Sequence, residues 1–227
     1  MYKYTALIIE PRKHKSLHFV INNFLTHLSN EWAVIVFHGT QNIEYVRNIA
    51  NDLNSKHNNR IINLINLNVD NLNAYTYSDI FFSKPFYDCI PTNTFLVFQT
   101  DSMILKENKD GIQFFIDYDY DYVGSPWNNN HVGNGGLSLR KKNKMLEIID
   151  SKGYIRMHED DYFSYDIDPK IKYHVPPYGI AKLFAIETVF YDKPFGIHNF
   201  WRHLPKEQSD FLLNKYPDIN ELVELNK

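Results

Sequence analysis

The chain has 227 residues, enough for one α/β domain with a sizeable core, and its 44% hydrophobic content excludes a disordered chain. A net charge of -3 argues against a nucleic-acid-binding role, where a basic face is expected. The single cysteine, Cys89, excludes a disulfide framework or cysteine-rich zinc site within the chain and reads as a small buried hydrophobe.

Residues 5–9 (TALII) form a short apolar run and predict a buried strand. Leu17, Val20, Ile21, Phe24, Leu25 and Leu28 recur at helical spacing, so a helix is predicted over 14–29. Residues 33–37 (AVIVF) predict a second strand, closed by a turn at His38-Gly39-Thr40. Ile43, Val46, Ile49, Ala50 and Leu53 predict a second helix, and 61–67 (IINLINL) a third strand. Strand–helix–strand–helix–strand is the pattern of a parallel sheet with covering helices. Residues 72–90 predict a short helix and a connection, and 94–98 (TFLVF) a fourth buried strand running into Gln99-Thr100-Asp101-Ser102.

Beyond Asp101 the alternation loosens. Residues 117–127 and 133–140 are turn-rich, with LSLR read as a strand. A helix is predicted over 141–151, another opening at Glu159-Asp160-Asp161, and a helix with a polar end from 205. No repeat or linker divides the chain. It reads as one domain over 1–227, with a first half to 105, a second half over 106–204 and a tail over 205–227. The apolar run at the N-terminus stops at Glu10, and no stretch reaches the ~18 apolar residues of a membrane span. A soluble, cytoplasmic protein is the expectation.

Four features carry candidate chemistry. Asp101 ends an apolar strand, and in parallel α/β sheets ligands sit beyond those strand ends. Hard divalent ions favour carboxylate oxygen, but a turn-forming Asp explains the same pattern. Gly133-Asn134-Gly135-Gly136 permits positive φ or close ligand approach, or is simply a tight loop; no Gly-Lys-Ser/Thr follows it, so it is not a phosphate loop. Glu159-Asp160-Asp161 offers a general base or an ordinary acidic helix start. His198, in PFGIHNFW, offers a metal ligand or a packing residue, with Trp201 able to stack on a sugar. His14 and His18, four apart on the first predicted helix, read as surface residues.

The ordered set FQTDS (98–102), YVGSPW (122–127), VGNGGLSLR (132–140), EDDYF (159–163) and PFGIHNFW (194–201) resembles a family of glycosyltransferase-like proteins. That family was first catalogued as a domain of unknown function and has members in bacteria and large DNA viruses. LIIEPRKH and WAVIVFHGTQN also fit it, so the resemblance spans roughly residues 5–201. The same order is similar to the wider GT-A class, which implies a Rossmann-type α/β sandwich with a mostly parallel central sheet and helices on both faces.

The resemblance implies the site as well. Asp101 matches the last acid of the Asp-x-Asp motif that holds Mn²⁺ or Mg²⁺, while Gln99 stands where the first acid would be. His198 matches a late metal-side histidine. Gly135 and Gly136 match the loop bordering donor sugar and acceptor, and Asp160 matches the base of inverting members, with Glu159 as its fallback. Glu10 and Arg12 fall where the nucleoside binds, Thr100 and Ser102 flank Asp101 in the donor site, and Trp127 and Trp201 are placed to stack on sugar. The implied reaction moves a sugar from a UDP- or GDP-sugar to a hydroxyl of a glycan or protein, with inversion. The missing first acid at Gln99 keeps open a nucleotide- or sugar-binding module without turnover. A glycoside hydrolase fits the α/β first half poorly, and a nucleotidyltransferase leaves the acidic motif and His198 unused.

Overall fold

The computed structural model describes residues 2–58 and 60–227. The chain opens with β1 (Tyr4–Ile9), α1 (Leu17–His27), β2 (Trp32–His38), α2 (Ile43–Lys56) and β3 (Ile62–Asn66), followed by α3 (Ala74–Phe81), α4 (Lys84–Asp88) and β4 (Thr94–Phe98). Next come β5 (Ser102–Ile104), a 3-10 turn at Lys106–Asn108, α5 (Gly111–Asp117), β6 (Tyr122–Gly124), β7 (Leu137–Lys141), α6 (Lys142–Lys152) and α7 (Glu159–Ser164). The chain closes with α8 (Tyr178–Phe184), β8 (Ala185–Ile186), β9 (Gly196–His198), a 3-10 turn at Phe200–Arg202, α9 (Lys206–Lys215) and α10 (Ile219–Leu225).

A six-stranded sheet runs in the order β3-β2-β1-β4-β7-β6. The first four strands are parallel; β7 runs antiparallel to both β4 and β6. Helices cover both faces, which is why the first strands read as unbroken apolar runs rather than alternating ones. Successive side chains divide between the faces: Ala6, Val34, Leu96 and Phe98 join one core cluster, while Leu7, Ile35, Phe95 and Val97 join the other. The first cluster draws on residues from Ala6 to Leu222.

A second, three-stranded sheet has the order β5-β9-β8. β5 pairs antiparallel with β9, placing Ser102 opposite His198, and β8 runs parallel to β9, placing Ile186 opposite Ile197. These strands are two or three residues long, too short for their periodicity to show in sequence.

Four expectations need correction. The first helix starts at Leu17, not 14, because buried Ser16 donates its hydroxyl to the Thr100 carbonyl (2.6 Å) and holds the preceding loop against the β4 end. His14 therefore lies outside the helix and bonds Ser16 Oγ (2.9 Å), while His18 pairs with Asp52 (2.7 Å). The turn-rich 117–127 segment contains β6, and the tail folds as two helices separated at Pro217. Cys89 is exposed, not buried, because it caps the short α4 rather than entering a core element. Among the described residues, no helix is long and apolar enough to cross a membrane.

Candidate active site

Beyond the carboxyl ends of β1 and β4 lies a cavity of about 440 Å³, within the usual range for small-molecule sites. Residues 9–12 at the end of β1, residues 71–74 with Tyr77 and Ser78 of α3, and Gln99 to Asp101 after β4 form one side. Asn134 to Gly136, His158 to Asp160, Glu187 and His198 form the other. The crevice lies where open α/β sheets hold their ligands.

The small sheet brings together residues distant in sequence. Asp101 immediately precedes β5, His198 ends β9, and Glu187 follows β8, so the strand pairings set the three in a row with His198 in the middle. His198 Nε2 lies 3.3 Å from Asp101 Oδ1, and Nδ1 lies 3.2 Å from Glu187 Oε1. Nδ1 is buried and lies off the direction a hydrogen bond to that oxygen needs. The turn is held by Asn199, whose left-handed backbone (φ 44°) lets its N–H reach the Asp101 carbonyl (3.0 Å). Burial pushes the imidazole pKa down, but the Asp101 and Glu187 carboxylates outweigh it and raise it to about 10. Burial raises the Asp101 carboxyl in turn, and the neighbouring imidazolium outweighs that and holds it below its ordinary value.

A second cluster is built around Arg140, a fully buried guanidinium on β7. It makes two bonds to Glu159 (2.6 and 3.0 Å), one to Ser138 Oγ (2.9 Å) and a long one to the Gly135 carbonyl (3.4 Å). Phe81 and Tyr122 each present a ring face to it, 4.9 Å from the centroid. The Glu159 N–H also bonds Ser78 Oγ (3.1 Å), tying the start of α7 to α3. Asp160, next along, is half-buried and faces the cavity, with Gly135 N–H 3.4 Å from its Oδ2. Burial, then the charges of Glu159 and Asp161, raise its carboxyl to about 6.

The glycine loop is required by its protein neighbours. A Cβ on Gly135 would collide with Glu159 Oε1, and one on Gly136 with the His198 ring. Neither residue has positive φ, so the conformational reason considered from sequence does not apply. Asn134 ties the glycine loop to the small-sheet cluster: its amide donates to Glu187 Oε2 (2.8 Å) and its oxygen accepts from Gly136 N–H (3.0 Å).

Of the residues singled out from sequence, Glu10, Arg12, Thr100, Asp101, Gly135, Gly136, Glu159, Asp160 and His198 line one cavity. Three others lie outside its lining. Ser102 is buried and its hydroxyl closes the turn to Gln99 (2.9 Å). Trp127 stacks with His131 and Tyr165, and Trp201 packs edge-on against Phe200. Both oxygens of Glu159, the fallback base, are held by Arg140. The Glu10 carboxylate is likewise held by the Arg12 side chain (2.8 and 2.7 Å). Gln99, in place of an acid, donates its amide to Tyr77 OH (3.1 Å). Sequence reading missed Glu187 and Arg140; the only signal for Arg140 was a charge closing the apolar LSLR run.

Among the described residues, no group of three or more His, Cys, Asp or Glu side chains is arranged to hold a metal by itself. A Mn²⁺ or Mg²⁺ ion that takes part of its shell from diphosphate oxygens and water needs fewer protein ligands. Adjacent ligands about 2.1 Å from such an ion stand roughly 3 Å apart. Asp101 Oδ1 and His198 Nε2, 3.3 Å apart on the cavity wall, fit that requirement.

Three solved structures share the fold of the chain and are distant in sequence. The apo glycosyltransferase GlyE of Streptococcus pneumoniae TIGR4 superposes with a TM-score of 0.58 at 10% identity, over 98% of this chain and 63% of that one. TarS 1-349 of S. aureus, in complex with UDP-GlcNAc, gives 0.54 at 13% identity, over 86% and 58%. The mannosyltransferase PcManGT of Pyrobaculum calidifontis, in complex with GDP-Man and Mn²⁺, gives 0.52 at 10% identity, over 78% and 56%. The chain thus spans less than two-thirds of each of these proteins. The likeness shows the fold: an α/β architecture with a mostly parallel central sheet, matching GT-A glycosyltransferases. No curated protein matches the sequence. One family model matches residues 62–198, a span that includes Asp101, the glycine loop, Asp160, Glu187 and His198. That span is more than half of the chain, which belongs to the family described as protein of unknown function (DUF5672).

Proposed function

We propose that the chain transfers a sugar from a UDP- or GDP-sugar to a hydroxyl of a glycan or protein, with inversion at the sugar carbon. The observation that carries this reading is the shared cavity: the Asp101–His198 pair and Asp160 line one 440 Å³ space at the strand ends of a glycosyltransferase-like fold. Residues 9–12 and 71–74 would form the wall beside the nucleoside, with Asn71 and Asn73 as its short polar side chains. Asp101 and His198 are the side chains that would hold Mn²⁺ or Mg²⁺ against the diphosphate. When bound, such an ion neutralises charge that grows on the leaving group. PcManGT, with GDP-Man and Mn²⁺, and TarS, with UDP-GlcNAc, support both the donor class and the ion.

Asp160 takes the proton of the acceptor hydroxyl. With a carboxyl raised to about 6, it is mostly ionised at neutral pH yet more basic than an ordinary aspartate, as a general base requires. Attack by the deprotonated oxygen from the face opposite the diphosphate gives inversion. Arg140 keeps Glu159 paired and so fixes the first turn of α7, from which Asp160 projects.

A panel of UDP- and GDP-sugars assayed with Mn²⁺ for hydrolysis and for transfer to hydroxyl acceptors tests the reading. The expected result is turnover of one donor class by the wild type, with Asp160→Asn retaining nucleotide affinity while losing transfer by about 100-fold or more. Full transfer by Asp160→Asn removes the base assignment. Binding by the wild type with no turnover of any donor favours a binding module instead.

A further inference from the structure

Glu187 is a buried carboxylate with no role in the reaction as described so far. Its two oxygens point in different directions along the wall. Oε2 accepts the Asn134 amide (2.8 Å), and Oε1 lies 3.2 Å from His198 Nδ1. The other imidazole nitrogen, Nε2, is the one beside Asp101. Glu187 therefore stands on the far side of the ring from the proposed ion, where it meets His198 but is not itself a ligand. A histidine that binds a metal through one nitrogen needs its proton on the other, and a carboxylate accepting that N–H fixes both tautomer and ring angle. His198 Nδ1 is buried without a hydrogen-bond partner, and Glu187 Oε1, 3.2 Å away but off line, is the carboxylate oxygen that a small turn of the ring would bring into hydrogen-bond geometry. With an ion bound, Nε2 would serve as the ligand, which leaves the one ring proton for Nδ1.

We infer that Glu187 is a positioning residue that accepts the His198 Nδ1–H and aims Nε2 at the cation shared with Asp101. Through Asn134 the same carboxylate holds Gly136, whose missing Cβ leaves room for the His198 ring. One side chain thus sets the imidazole and the loop that packs against it. This inference rests on the donor-site reading above.

Mn²⁺ affinity is measured by water-proton relaxation on protein saturated with UDP or GDP, for wild type, Glu187→Gln, Asp101→Ala and His198→Ala. Glu187→Gln keeps the size of the side chain but loses the carboxylate. The expected result is a roughly 10–100-fold weaker Mn²⁺ affinity in Glu187→Gln, with metal-free nucleotide affinity within about twofold of wild type. Unchanged Mn²⁺ affinity in Glu187→Gln, alongside its loss in Asp101→Ala, overturns the role of Glu187 and leaves the donor site standing. Unchanged affinity in all three variants, or no Mn²⁺ binding by the wild type, overturns the donor-site reading and this inference with it. A readout on the wild type does not depend on any variant folding. In the Mg²⁺–UDP complex, ¹⁵N shifts of the His198 ring should show the proton on Nδ1 and none on Nε2. A proton on Nε2 overturns the inference.

Discussion

Asp160 lies half-buried at the start of α7 between two other acids, and burial and those charges raise its carboxyl to about 6. Two outcomes follow. If it is the base, transfer measured as kcat/KM rises about tenfold per pH unit below 6 and is flat above about 7. The stability effect has the opposite sense. The folded carboxyl holds its proton between about pH 4 and 6, where the unfolded one has already lost it, so its contribution to stability falls as pH rises through that window. Asp160→Asn should therefore gain on the order of 1–3 kcal/mol at pH 7 and nothing below pH 4, read from thermal unfolding at both pH values. A variant no more stable than wild type at pH 7 contradicts the account of a carboxylate held in an unfavourable place. At this scale the sequence singled out acids at the edge of a recognisable element, Asp101 after β4 and Asp160 at the start of α7, and both line the cavity. Glu187 was not, because it follows a two-residue strand in AIETVF and nothing local separates it from a surface acid.

Among elements, β7, α7 and the glycine loop act as a unit through Arg140 and Glu159. Both partners are buried, so Arg140→Ala leaves an uncompensated carboxylate and should destabilise by about 3–5 kcal/mol in chemical denaturation. Gly136→Ala pushes a methyl into the His198 ring and should cost about 1–3 kcal/mol and weaken Mn²⁺ binding. Gly179, in α8, has open space at its Cβ position and no positive φ, so Gly179→Ala should be stabilising by about 0.4–1 kcal/mol and leave binding unchanged. Equal losses from both glycine variants would contradict the steric argument. The long elements β1, α1, β2, α2 and β4 were readable because doubly buried strands give continuous apolar runs and amphipathic helices repeat near 3.6 residues, while β3, at the partly exposed edge, showed through Ile62, Leu64 and Ile65. β6, β8 and β9 are three residues or fewer, too short for any period to show.

At the scale of the whole molecule, two sheets divide the work. Of the parallel strands, β1 and β4 present their carboxyl ends to the cavity, and the small sheet β5-β9-β8 carries His198 and Glu187 back to Asp101. The first arrangement was legible because alternating strands and helices restrict the topology to few choices. The second was not, since it depends on pairing between segments that are distant in sequence and individually featureless. The central claim is that this convergence forms a donor site for a nucleoside diphosphate sugar, and titration calorimetry tests it most directly. UDP and GDP are titrated into wild type and Asp101→Ala, each with and without Mn²⁺. The account predicts single-site binding of one nucleotide that Mn²⁺ tightens in wild type and not in Asp101→Ala. Binding of neither nucleotide, or binding indifferent to both Mn²⁺ and Asp101, would contradict it.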